Sequence, residues 1–220
     1  MIAHHPSIDM LLDYATGSLP TGTRLVVASH AAFCADCRQQ ISRFEAVGGA
    51  MLDGIEPIPV RERVFHTVMA AIDNLPAPQA EQPASDLAKV LPFPLRRYVD
   101  SASRWRSAGL GIDEIELKLG SNQHRASLLR IRAGRAMAMH RHQGLEYTVV
   151  LAGSFNDGGA RYDAGDLCLG AGPQHMPVAD GGQDCICLTV LDAPIVLTGR
   201  WGRLLNPLLR WQHRRALTAA

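Results

Sequence analysis

His30, Cys34 and Cys37 place three metal-ligand side chains on one short stretch, and their H-x3-C-x2-C spacing constrains the fold more than any other feature. If Pro20 to Phe33 is helical, His30 lies on its last turn. If a second helix begins near Ala35, Cys34 sits at its mouth and Cys37 one turn inside. The three side chains then converge, and a closed structural zinc takes four nitrogen or sulfur donors. The adjacent pair His4 and His5 supplies a candidate fourth, so a bound zinc would pin the first segment of the chain to the second and third. Two readings compete with it: a redox C-x2-C pair, or two buried thiols beside a surface histidine. The strand that precedes such a pair in a thioredoxin-like unit is missing here, which favours zinc.

At 220 residues the chain can form one large or two small domains, and its 47% hydrophobic content is ample for packed cores. A formal net charge of +1 gives no electrostatic case for direct binding of nucleic acid. The start, MIAHHPSIDMLLDYATG, lacks the basic and apolar regions of a signal peptide, and no stretch approaches the roughly 18 apolar residues that cross a membrane. A cytoplasmic protein without a membrane partner is expected. Five cysteines, an odd number, fit a reducing compartment in which thiols bind metal or pack.

From Ser7 to Ile72 the apolar periodicity is helical. Ser7 is placed to cap a helix carrying Ile8, Leu11, Leu12 and Ala15 and ending at Gly17; Leu25, Val26 and Phe33 mark a second, and a third is expected to end at Gly48-Gly49. After the connection IEPIPV, the pattern RERVFHTVMAAIDNL predicts a fourth helix that stops before Pro76. Its Val64, Phe65, Val68, Met69 and Ile72 share one stripe. Periodicity says only that such a face is covered by something; packing on the preceding helices is the simpler expectation, and filling a partner's groove the other. Between Pro76 and Pro94 the sequence PAPQAEQPASDLAKVLPFP reads as a semi-extended linker that would let two modules move independently.

From Leu110 the pattern changes to strands, over Ile112–Leu119, Ser127–Ile131, Tyr147–Leu151, Leu167–Leu169 and Cys185–Val190, separated by glycine-bearing turns. The expected fold class is therefore α+β with two domains: a small all-α zinc-binding module (1–76), a linker (77–90) and an all-β jelly-roll barrel (91–200), followed by a basic helical tail (201–220). Cys168, Cys185 and Cys187 are read as small buried hydrophobes, with an oxidant-reactive pair at Cys185 and Cys187 as the lesser alternative. His66, His124 and His213 stand alone and are read as ordinary surface or core residues.

Within the barrel region lies a second constellation. His140 and His142, two apart on a strand, face the same side, and Glu146 can return to the same point, as can His175 after the run GAGPQ. Three imidazoles and a carboxylate suit zinc, manganese, iron or nickel, and zinc is the expectation carried forward for this second divalent ion. Gly134, His140, His142, Glu146 and Gly153 satisfy G-x5-H-x-H-x3-E-x6-G, which resembles the first motif of the cupin superfamily. The second cupin motif is only partly present: Gly165 and His175 fit it, but P-x-G is replaced by Ala171-Gly172-Pro173 and the downstream Asn is missing.

The two halves together resemble the ChrR family of zinc-binding anti-sigma factors, in which a helical zinc domain precedes a cupin. The likeness includes HHPSIDMLLDYATGSL, LVVASHAAFCADCR, AVGGAML and CICLTVLDAPIVLTGRWGRLLNPLL. It implies His5 as the fourth ligand beside His30, Cys34 and Cys37. It also implies that an extracytoplasmic-function type sigma factor is the partner, held away from RNA polymerase by occlusion. It places the fourth helix at that interface, which turns the expectation for Val64, Phe65, Val68, Met69 and Ile72 from packing to partner binding. The signal linked to the family is singlet oxygen or a related oxidant. The alternative is a metal-dependent cupin enzyme, a dioxygenase or isomerase with an accessory helical domain. No nucleophile elbow, P-loop or base-reading element occurs, and no catalytic residue is assigned.

Overall fold

The structure, a computed structural model, describes residues 2–76, 87, 90–120, 123–170, 174–199 and 202–218. Most of the expected linker (77–86, 88 and 89), the 171–173 stretch of the second cupin motif and Trp201 lie outside the described residues.

Helix α1 spans Ile8–Ala15 and starts where Ser7 Oγ accepts the Met10 N–H at 3.2 Å; Gly17, at φ +74°, ends the turn that follows it. Helix α2 covers Thr21–Phe33. Cys34 caps α3, Ala35–Asp53, its Sγ accepting the Cys37 N–H at 3.4 Å. The expected stop at Gly48-Gly49 is not observed, because α3 continues through both glycines to Asp53. Each glycine costs a helix about 1 kcal/mol, and the surrounding Ala46, Ala50, Met51 and Leu52 are residues that favour helix. Helix α4, Arg63–Asp73, has no buried residue, so its stripe does not pack on the preceding helices: Phe65 is 65% exposed and Val68 51%.

A short helix α5, Phe93–Arg96, leads into the strands. Six of them form the main antiparallel sheet in the order β1 (Arg106–Gly109), β2 (Ile112–Leu117), β3 (Arg125–Ile131), β10 (Cys185–Leu191), β5 (Glu146–Ala152) and β8 (Leu167–Gly170). The facing sheet is β7 (Ala160–Asp163), β6 (Ser154–Asp157) and β9 (Val178–Ala179), and β4 (His140–Arg141) pairs with β11 (Val196–Leu197). Every strand predicted from the sequence is present. The additional ones are short or polar, such as ARYD, and carry little periodic signal. The tail is helical as expected, with α6 over Asn206–Thr218 and His213 buried beneath it. No helix among the described residues is long and apolar enough to cross a membrane.

The main sheet is covered on both faces, which explains why β10 reads CICLTVL without polar alternation. On the inner face Cys185 and Cys187 join Val150, Phe155, Cys168 and Ala179 inside the barrel. On the outer face Leu128, Val149, Leu188 and Val190 pack with Leu87, Leu91, Leu95 and Val99 and with Leu25 and Val26 of α2. The helical module and the barrel thus share one core, a contact that the reading of independently moving modules did not anticipate. Leu87, within the stretch expected to be linker, is 5% exposed. Gly22 permits the close approach of α2: a Cβ there would lie 2.7 Å from His124 Cβ and 2.9 Å from Val190 Cγ1.

Candidate metal centres

The first centre forms where the α2–α3 junction meets the chain start. His5, His30, Cys34 and Cys37 bring one donor atom each to within 4.8 Å of one another. His5 Nδ1 lies 3.5 Å from Cys34 Sγ and 3.4 Å from Cys37 Sγ, and His30 Nε2 lies 3.3 Å from Cys37 Sγ. The His30 ring is fully buried, and its Nδ1–H donates to the Gly165 carbonyl at 2.7 Å, which turns Nε2 toward the thiols. Of the two candidate histidines it is His5 that joins the cluster. His4 faces away, with Nδ1 3.5 Å from Asp166 Oδ2. Burial, reinforced by the Cys34 thiol, pushes Cys37 up to about 12. Two buried thiols beside two imidazoles are the donor set of a tetrahedral structural zinc, which binds cysteines as thiolates and expels their protons.

The second centre forms at one end of the barrel. His140 and His175 sit opposite each other in an antiparallel bridge, with backbone hydrogen bonds of 3.1 and 2.9 Å, so their side chains share a face. His142, two residues on, adds its ring from the same side, and Glu146 enters at the start of β5. The four donors again lie within 4.8 Å of one another. His142 Nε2 is 2.6 Å from His175 Nε2 and 3.2 Å from Glu146 Oε2, a crowding of lone pairs that suits a shared cation. Two of the rings are oriented from behind. His140 Nδ1–H donates to the Ala138 carbonyl at 2.8 Å and His175 Nδ1–H to Asp157 Oδ2 at 2.6 Å, which turns Nε2 of each toward the cluster. Asp157 had no motif to mark it, since its role depends on a pairing across the barrel.

Burial, slightly offset by the Thr148 hydroxyl, pushes Glu146 up to about 7, while burial and the neighbouring imidazoles of His140 and His175 hold His142 down at about 4. An ion needs the carboxylate, so below about pH 7 it must displace a proton; above that it need not. Affinity at the barrel cluster should therefore fall about tenfold per pH unit from about 7 downward, with His142 adding nothing until near 4. Cobalt titrations across this range test it, because thiolate charge-transfer bands report the first centre separately. A flat profile would remove Glu146 from the donor set.

Cys168 and Cys187 line the pocket beneath this cluster, and Cys185 Sγ lies 3.5 Å from Cys187 Sγ. Burial raises Cys168 to about 11. Hydrogen bonding to Cys185, together with burial, keeps Cys187 a neutral thiol. All three pack as small apolar groups inside the barrel. His66 is exposed, His124 half-buried against α2 and His213 buried; none joins either cluster.

This architecture has relatives. A family model described as the ChrR cupin-like domain matches residues 97–193. The anti-sigma-E factor ChrR of Cereibacter sphaeroides is 37% identical over 213 residues, covering 95% of this chain and 99% of the relative. The chain belongs to the ChrR family of anti-sigma factors. Membership sets it among regulators and not enzymes. The crystal structure of Rhodobacter sphaeroides SigE in complex with the anti-sigma ChrR contains a similar chain, at TM-score 0.71 and 37% identity, covering 87% of this chain and 100% of that one. An RmlC-like cupin protein from Ralstonia eutropha JMP134 is more distant, at 17% identity and TM-score 0.40 over 50% of this chain and 81% of that one.

Proposed function

We propose that this protein is a cytoplasmic anti-sigma factor that sequesters an extracytoplasmic-function type sigma factor through its helical region, residues 1–76, and releases it when an oxidant such as singlet oxygen reaches the barrel's metal cluster. The observation that carries the reading is the relation to an anti-sigma factor along 95% of the chain. The α4 stripe supports it independently, because Val64, Phe65, Val68, Met69 and Ile72 all stay exposed in the free chain and offer a sigma factor an apolar ridge. In this scheme His5, His30, Cys34 and Cys37 hold a structural zinc that fixes the helices. His140, His142, Glu146 and His175 hold a second divalent ion, with zinc the favoured one, whose surroundings receive the signal.

Replacing His140 and His142 with alanine separates the two roles. The barrel has an apolar core of its own, so loss of two donors should strip the second ion while the fold persists. Repression of a sigma-dependent reporter should persist in unstressed cells, and induction by singlet oxygen should drop to background. Normal induction from a protein shown to lack the second ion would eliminate the sensing role.

A further inference from the structure

The first metal centre is not completed by the helical region alone. The turn between β7 and β8, residues 163–166, lies directly against it. Gly165 supplies the carbonyl that receives His30 Nδ1–H at 2.7 Å. Asp166, 1% exposed, accepts the backbone N–H groups of Ala3 and His4 through Oδ1 at 2.7 and 2.9 Å, and that of Asp163 through Oδ2 at 2.9 Å. The Leu167 N–H donates to the His4 carbonyl at 3.0 Å. Two of the four donors, His30 through its ring and His5 through the backbone before it, are therefore held in place by the barrel.

Only glycine fits at the centre of this contact. Gly165 has φ +97°, and a Cβ on it would lie 2.6 Å from Ile2 Cδ1 and 2.9 Å from Phe33 Cβ. The carboxylate at Asp166 is equally committed. Burial opposes its charge, but the backbone N–H groups of Asp163, His4 and Ala3 outweigh burial and hold it below the usual carboxylate range.

We propose that Gly165 and Asp166 of the barrel are positioning residues for the zinc of the helical region, so that the hold on that zinc depends on the barrel staying docked. The inference rests on reading the His5, His30, Cys34 and Cys37 cluster as a zinc centre. Its physical basis is that a zinc-bound imidazole is normally oriented through its second nitrogen, and losing such an outer partner typically costs about 10- to 100-fold in affinity. By linkage the dependence is mutual: zinc that is held better when the turn is docked must itself favour docking. Anything that draws the turn away from α2 loosens the zinc, and with it the helices that carry the partner surface.

The test uses the full-length, zinc-loaded protein and measures zinc release to a chromogenic chelator, with modification of Cys34 and Cys37 assigning the release to the first centre. Asp166→Asn keeps size and one acceptor but loses the charge and the second acceptor. It should speed release about 10-fold or more while the barrel's melting temperature is held. Asp166→Ala should do so to a greater extent. Gly22→Val, which pries α2 off the barrel far from any ligand, should also speed it, and provides an independent arm should the Asp166 variants fold poorly. Unchanged release in folded Asp166→Asn and Gly22→Val proteins would overturn the proposal and leave the zinc assignment intact. Wild-type protein with no zinc protecting Cys34 and Cys37 would overturn both.

Discussion

Replacing Cys34 and Cys37 together with alanine should strip about one zinc from the full-length protein and abolish sigma-factor sequestration. The core around this centre is small: Leu11, Leu19, Val27, Ala31 and Ile41 pack with the two cysteines themselves. Structural zinc contributes on the order of 10 kcal/mol to small modules of this kind, comparable to the whole stability of a typical domain. Without it, α1 and α3 lose the staple that fixes them to α2, whereas the outer-face packing of Leu25 and Val26 on the barrel survives. Helical circular dichroism should fall while the barrel's cooperative melting remains. Metal analysis is the decisive measurement, since full zinc content in the double variant would refute the assignment.

Truncating Phe65, Val68 and Met69 to alanine should weaken the sigma complex at least about 30-fold. Buried aromatic and long apolar anchors commonly contribute more than about 2 kcal/mol to an interface, and 1.4 kcal/mol is about tenfold. The free protein should be indifferent, because no residue of α4 is buried. Calorimetric titration of the partner into each variant, paired with thermal melting of the variant alone, distinguishes the two possible roles of the stripe. A complex of unaltered affinity would move the interface elsewhere, and melting of the free variant at lower temperature would return the stripe to the core.

How far the chain could be read before its structure depended on how local each signal was. The Cys34 cap, the turn from His30 to Cys37 and the facing pair His140 and His142 follow from backbone period alone. The residues that the fold gathers into the two clusters were therefore named from sequence, although the choice of His5 over His4 came from family likeness. Asp166 supplies its physical reason by holding the His4 backbone and ring on the barrel side. Gly48 and Gly49 misled because composition marks them as a stop while their neighbours carry the helix through. The outer-face packing of Leu25 and Val26 could not have been read, since apolar periodicity marks a buried face without saying which partner covers it. Asp157 was silent for the same reason, and Gly165, although it fits the second cupin motif, gave no sign of its contact with His30. Their contacts span 18 and 135 residues of sequence.

The shared outer core also bears on how such regulators can be recombined. A chimera that grafts the helical region onto a foreign domain would leave Leu25 and Val26 facing water and His30 without its carbonyl acceptor, so the graft would be prone to aggregate and, on the zinc reading proposed above, would hold its ion less tightly. A working transplant needs a recipient with an apolar platform for α2 and a glycine turn at the height of Gly165. If the barrel receives the signal as proposed, new stimuli are more easily acquired by altering its mouth, around His175 and Glu146, than by exchanging the barrel whole.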